Sequence, residues 1–306
     1  MMAYLLRRLF WLALTLLAVS AFTFAIIFAG PVDPVQALVG PRAQGEALAA
    51  LRRQLGLDRP LYVQYADYMG KLLRGDLGYS FFFKRPVSQA LFSRLPATAQ
   101  LAGCIMGLSL VFGLPMGIVT ALKRGSLLDH SMTVAGLVLI SMPSFFFGLL
   151  LIYFLAFKLN LFPTGGYGSL RHLILPGLSV ALPWSVWYGT ILRANLLYVL
   201  STDYVRTAYA KGLWQRLVVF RHALKNAMLP LVTMLGMDLA SLLTGTALVE
   251  YVFNWPGIGW QALTAAQHRD VPMVMGSVLF GAALIGLANL GVDILYSFLD
   301  PRVRLA

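Results

Sequence analysis

The chain has 306 residues, of which 59% are hydrophobic and 12% charged. A soluble domain carries about 25% charged residues, so the composition excludes an ordinary soluble fold and points to a polytopic membrane protein. The formal net charge of +12 raises a nucleic-acid reading, but no aromatic-basic module accompanies it. The Lys and Arg gather instead in loops between apolar runs, where a membrane protein needs them for orientation.

The first apolar run, residues 9–32, is free of charge and follows Arg7 and Arg8. A signal-peptide core has about 7–15 residues. This run is long enough to cross a hydrocarbon core of ~30 Å at ~1.5 Å per residue, so a retained span is expected. Residues 31–95 are polar and aromatic, and 44–70 carry helical periodicity through Leu48, Leu51 and Leu55, then Tyr62, Tyr65 and Met69. A small, mostly helical outer cap is expected there. Phe81, Phe82 and Phe83 suit either an interfacial anchor or a contact between the cap and a partner.

The second run, 95–122, ends at Lys123-Arg124 and contains the single cysteine, Cys104, read as a small packing residue. Gly103, Gly107, Gly113 and Gly117 form small-xxx-small pairs that permit close helix approach. The third run, 130–157, holds Pro143 between Ser141 and Ser144, tolerable in a bundle where neighbours satisfy the freed carbonyl. The fourth, 173–192, contains Pro176, Gly177 and Pro183. The fifth, 230–252, contains Asp238. The sixth, 271–292, continues past Asp293 to Leu299. The expected fold is an all-α membrane protein of six transmembrane helices, with the outer helical cap between the first and second spans.

Charge sets the orientation. With the first residues inside, the inner side receives Arg7, Arg8, Lys123, Arg124, Arg193, Arg206, Lys211, Arg216, Arg221, Lys225, Arg302 and Arg304, against Lys158, Arg171 and Arg269 on the short outer loops. Long loops weigh little in this rule. Both termini are therefore expected in the cytoplasm.

No enzymatic constellation is visible. His130, His172, His222 and His268 show no metal-ligand spacing, and there is no G-x4-G-K-[ST] phosphate loop. Asp238 lies eight residues past Pro230 and well inside its run. An intramembrane acid marks either a pathway or a buried pair, here with Thr233, Ser241 or Thr244 as partners, and both readings stand. Asp293, nearer the inner boundary, favours a structural role. Glu250 is expected to reach the outer interface in a water-exposed or loop-fixing role rather than as a buried charge. Trp255-Pro256-Gly257 lies beside that interface, as an aromatic anchor or as a short element at an outer gate.

The stretch 203–230 carries the most information. Asp203 is placed to N-cap a short helix from Tyr204, and Gly212 to end it. A second helix is expected from about Trp214 to Lys225, before Pro230. Ala208 and Ala210 leave room for the first helix to enter a groove of another protein. Two short basic helices between spans make a cytoplasmic docking surface.

This stretch resembles the EAA loop of ABC importer permeases. Arg206-Thr207-Ala208 stands at the EAA position, Gly212 at the Gly position, and Leu229-Pro230 closes the pattern. The Arg and Thr, and the longer Gly-to-Pro gap, are similar to the dipeptide/oligopeptide/nickel branch. So are Asp33-Pro34, LGLDRPLYVQY (55–65), GDLGYS (75–80), RPV (85–87), FNWPGIG (253–259), RDVP (269–272) and DPRVR (300–304).

The resemblance implies a single transmembrane domain over 1–306, with a cap segment at 31–95 and a coupling loop at 201–228, in a bacterial inner membrane. It implies half of a pore that imports di- or oligopeptides or similar solutes, with nickel chelates or glutathione as alternatives within the family. An ion-driven secondary transporter is the alternative from another class. Asp203, Tyr204, Arg206, Thr207, Ala208, Lys211 and Gly212 would couple to ATPase subunits. Trp255, Pro256 and Gly257 would meet an external solute-binding protein or form the outer gate. Partners would be a second homologous permease, two ATP-binding subunits that hold the ATP and Mg, the binding protein and lipid. No cofactor and no enzymatic activity are expected in this chain.

Overall fold

The computed structural model describes residues 2–28, 52–53 and 56–299, with side chains for 6–28, 52–53, 56–232 and 234–291. Much of the periodic part of the expected cap, the side chains of Thr233 and Asp293, and the block at 300–304 lie outside the described residues. The chain forms two compact units, one of Met1–Thr98, Ala240–Tyr251 and Pro256–Ala306, the other of Ala99–Leu239 and Val252–Trp255.

The first unit contains α1 (Met2–Phe28), α2 (Leu61–Leu72), a hairpin of β1 (Tyr79–Ser80) and β2 (Arg85–Pro86), and the start of α3 (Val87–Leu122). It also contains α10 (Ala247–Val252), α11 (Ile258–Gln267) and α12 (Val271–Leu299). The described part of the cap segment is thus a helix plus a hairpin paired Tyr79 with Pro86 and Ser80 with Arg85, less helical than expected. Val87, Ala90 and Leu91 of α3 share a core with Ile258, Ala265 and Met273.

Asp270, 2% exposed, precedes α12. Its carboxylate accepts from the Ser80 hydroxyl at 2.5 Å and the Phe82 amide at 3.1 Å, which pins the hairpin to that helix start. α1 packs along α12, with Leu12 seated on Gly286. Ser20 of α1 bonds Tyr65 of α2 at 2.8 Å. Burial, and then the neighbouring Tyr65, push the Tyr68 phenol of α2 up to about 12, so it remains neutral at ordinary pH.

The second unit contains the rest of α3, then α4 (Leu127–Ser141), α5 (Ser144–Lys158), α6 (Leu170–Leu200), α7 (Asp203–Ala210), α8 (Gln215–Ala227) and most of α9 (Leu229–Leu243). α6 is buried over most of its circumference, through Leu175, Val180, Tyr188, Leu192 and Leu196 among others, and exposes one stripe through Trp187, Thr190, Ala194 and Tyr198. α3 crosses it closely. A Cβ on Gly113 would stand 2.7 Å from the Ser185 carbonyl oxygen, and one on Gly117 2.7 Å from that of Gly189. Gly103 and Gly107 face open space, so only half of the small-residue pattern makes the crossing. Cys104 packs against Gly177.

Among the described residues three helices are long and apolar enough to cross a membrane, Leu6–Phe28, Val87–Leu122 and Val271–Gly291, and five if each of two bent pairs is taken as one span. The third expected run is not one straight span. α4 and α5 meet at 104° across Met142-Pro143, because Pro143 removes an amide and holds Met142 extended at ψ 130°. α8 and α9 meet at 43°. The fifth run stops at Leu243, where Gly245 turns with φ +96°, and resumes as α10. The fourth expected span lies inside the longer α6.

Candidate functional site

α7 sits between α6 and α8 in the second unit. Val205 and Ala208 are buried in one core with Leu192, Leu196 and Val199 of α6, Val218, Ala223 and Ala227 of α8, and Leu231 of α9. The Asn226 amide of α8 donates to the Tyr204 hydroxyl at 2.8 Å. The short helix is therefore fused to three longer ones.

The stop of α7 is as expected. Gly212 has φ +77°. Its amide donates to the Tyr209 carbonyl at 2.9 Å, and the Leu213 amide donates to the Ala208 carbonyl at 3.4 Å. These are the two bonds of a Schellman stop, which calls for a left-handed residue. The start differs. The helix begins at Asp203, and Thr202 stands at the cap position without capping, because its hydroxyl donates backward to the Val199 carbonyl at 2.6 Å. Asp203 lies in the first turn, pairs with Arg206 at 3.4 Å in full solvent, and favours the helix by charge alone.

Ala208 is a second correction. It is 7% exposed and faces the chain's own core, whereas Ala210 is exposed. The outward face is Asp203, Tyr204, Arg206, Thr207, Ala210 and Lys211. It is polar and charged with two half-exposed aromatic rings, Tyr204 and Tyr209, a surface suited to a soluble partner. Trp214, 83% exposed, and Phe220 extend it along α8. Of the basic residues assigned to this surface, Arg193 is engaged elsewhere, with Asp129 of α4.

Asp238 of α9 bonds a residue of α6 and not Ser241 or Thr244. The Tyr188 phenol donates to Asp238 Oδ2 at 2.6 Å. Tyr188 was not singled out from the sequence, since one tyrosine in an apolar run carries no signal of what it meets.

Glu250 is 0% exposed. The loop-fixing half of its expectation stands and the water-exposed half does not. Its carboxylate accepts from the Trp260 amide at 2.8 Å and the Thr246 amide at 3.3 Å, with the Gly259 amide and Thr98 hydroxyl as further donors. A Cβ on Gly257 would overlap that carboxylate. Pro256-Gly257 thus belongs to a turn wound around a buried acid, in the first unit. Trp255, in the second unit, is 1% exposed, with its ring edge-on to Tyr167 at 4.9 Å. It borders an open cleft of about 800 Å³ with Gln100, Cys104, Ser169 and Leu173. Among the described residues no group of three His, Cys, Asp or Glu is arranged to hold a metal.

Residues 113–305 match the family described as "Binding-protein-dependent transport system inner membrane component". Residues 1–102 match the corresponding N-terminal family, "Binding-prot-dependent transport system membrane comp, N-term". The chain is 39% identical over 305 residues to the glutathione transport system permease protein GsiC of Escherichia coli (strain K12), covering 99% of both chains. It is 39% identical over 305 residues to the protein of that name from Shigella dysenteriae serotype 1, again over 99% of both. It is 38% identical over 304 residues to that of Salmonella typhi, over 99% of both.

Proposed function

The chain belongs to the binding-protein-dependent transport system inner membrane components, and from that premise we propose that it forms one half of the translocation pore of an ATP-driven importer. It is a multi-pass inner-membrane permease subunit of the peptide, nickel and glutathione ABC importers, and not an enzyme. The six spans are α1, α3, the α4–α5 pair, α6, α9 and α12, with both termini cytoplasmic and residues 31–95 as the outer cap. A second homologous permease completes the pore. Two ATPase subunits dock on α7. An external binding protein delivers substrate near Trp255-Pro256-Gly257. Asp238 and Asp293 are intramembrane polar groups.

The observation that carries this reading is α7 itself. It is a short helix with a Schellman stop, buried on one side in the permease core and polar on the other. Force on the outer face is delivered to α6, α8 and α9 together. ATP closure in the partners would draw two such helices toward each other and reorient the pore.

The substrate is a short peptide, and glutathione, a tripeptide, is the first to test because the relatives carry its name. Nickel chelates are the second class to test. The experiment is uptake of radiolabelled glutathione, with and without competing di- and tripeptides, in cells expressing the complete transporter. Uptake should require ATP and survive collapse of the proton gradient. Uptake that follows the gradient, or failure of ATPase subunits to co-purify, would sink the reading.

A further inference from the structure

Asp129, in the first turn of α4, is 4% exposed. Its Oδ2 accepts from the Gly125 amide at 3.0 Å and from Arg193 Nη2 on α6 at 2.9 Å. The Ser126 hydroxyl accepts from the Asp129 amide at 3.2 Å. The carboxylate is thus fixed both to the turn that starts α4 and to α6. Two more atoms of the pair, Asp129 Oδ1 and Arg193 Nε, are buried and without a hydrogen-bond partner. A guanidinium edge matches both oxygens of a carboxylate, so the pair makes one of the two parallel bonds open to it.

The position matters more than the bond. Arg193 lies ~10 Å of helix rise before the end of α6 at Leu200, on the helix that shares its core with Val205 and Ala208 of α7. α4 packs along α6, with Gly136 against Val186. Apolar contact between helices is non-directional and lets them slide. A charged bond fixed at both ends does not. Exposed pairs contribute little, but here the carboxylate is buried, and removing either partner leaves a charge uncompensated.

We propose that Asp129 is a positioning residue of the coupling device: through Arg193 it makes α4 move with α6 and α7 as one body, and so carries displacement of the coupling helix to α4 and the bend beyond it. This rests on the reading of α7 as the coupling helix.

The test uses the complete transporter with Cys104→Ser and nitroxide labels at Ser131→Cys on α4 and Ser201→Cys at the junction of α6 and α7, both exposed positions. The distance between labels is measured in the nucleotide-free and the ATP–vanadate-trapped states. The chain with Asp129 and Arg193 intact should give one distribution in both states. Asp129→Asn and Arg193→Gln should each shift the distribution on trapping, and the two together should shift it no further than one alone.

A distance that already changes on trapping in the intact chain overturns the proposal. So do single variants that keep the intact distribution in both states. Should Asp129→Asn fail to assemble, Arg193→Lys keeps the charge and loses the planar edge; it should broaden the trapped distribution, and an unbroadened one overturns the proposal. Failure of the underlying reading shows separately: Ala210→Trp on the outer face of α7 would then leave transport intact.

Discussion

The Tyr188 phenol donates a 2.6 Å hydrogen bond to the Asp238 carboxylate, from a side chain that is itself 0% exposed. The acid in the middle of α9 is thereby bound to α6, the central helix of its unit. Within a membrane an acid without a partner is costly, and here the partner is a neutral donor.

Stability should follow the asymmetry of buried hydrogen bonds. Tyr188→Phe leaves the carboxylate without its donor and should cost about 1–3 kcal/mol. Asp238→Asn keeps an acceptor for the phenol and should cost less. Tyr188→Phe combined with Asp238→Leu removes both polar groups and should be milder than the sum of the single changes. Thermal unfolding of the purified permease decides this; additive losses would mean that the two side chains act independently.

Orientation is testable at two exposed leucines, Leu127 (91% exposed) at the start of α4 and Leu170 (80% exposed) at the start of α6. In a Cys104→Ser background, Leu127→Cys should react with a membrane-impermeant thiol reagent only from the cytoplasm, and Leu170→Cys only from outside. The reverse at either site contradicts the charge asymmetry and the six-span topology.

On α7 the two faces should separate. Arg206→Glu or Ala210→Trp alters the outer face and should abolish transport while leaving the permease inserted at normal levels. Ala208→Glu puts a charge into the core with Leu196 and Val199, and should reduce the amount of folded permease instead. At Gly212 nothing stands within 4 Å of an added Cβ, so only the left-handed backbone penalises substitution. Gly212→Val should cost ~1–2 kcal/mol and Gly212→Asn little. Immunoblots of membranes alongside uptake distinguish these outcomes.

Glu250→Gln should loosen the turn from Gly245 to Trp260. The amide NH2 it introduces faces backbone donors, which leaves an N–H unpaired at a cost of about 1–3 kcal/mol. Gly257→Ala should act in the same direction, since its Cβ would overlap the carboxylate. Limited proteolysis should cut within 244–260 faster in both variants; unchanged cleavage would show that the acid is not what holds the turn.

The apolar runs at α1, α3 and α12 were legible because length and hydropathy alone decide a straight span. The Gly212 stop was legible because few residues other than Gly take that backbone. The break at Pro143 was not, since a proline in an apolar run kinks a helix in one setting and divides it in another, and the neighbours decide. Burial of Ala208 was half legible: Val205 and Ala208 are spaced as one helix face, but sequence does not say which body that face meets. Asp129 offered a local signal, Ser126-x-x-Asp129 ahead of an apolar run, while its Arg193 partner lies 64 positions away. Glu250 was misjudged on exposure because counting along an uninterrupted helix carried it outward, and the turn at Gly245 brings it back.

α1 is made early in the chain, and the helix it packs along, α12, is made last among the described elements. At synthesis rates of about 5–20 residues per second, α1 waits some tens of seconds in the bilayer before that partner exists. A helix that must stand alone in lipid for so long needs to be apolar over its whole circumference. This one is apolar over most of it, with Phe10, Trp11, Leu14, Leu17, Phe22 and Ile26 still outward after packing, and its Ser20 hydroxyl donates to the Leu17 carbonyl of the same helix at 2.8 Å. Its hydropathy is then a requirement of biogenesis as much as of the finished fold. A nascent chain stalled before Val271 would hold α1 inserted but unmoored, a ready substrate for membrane quality control.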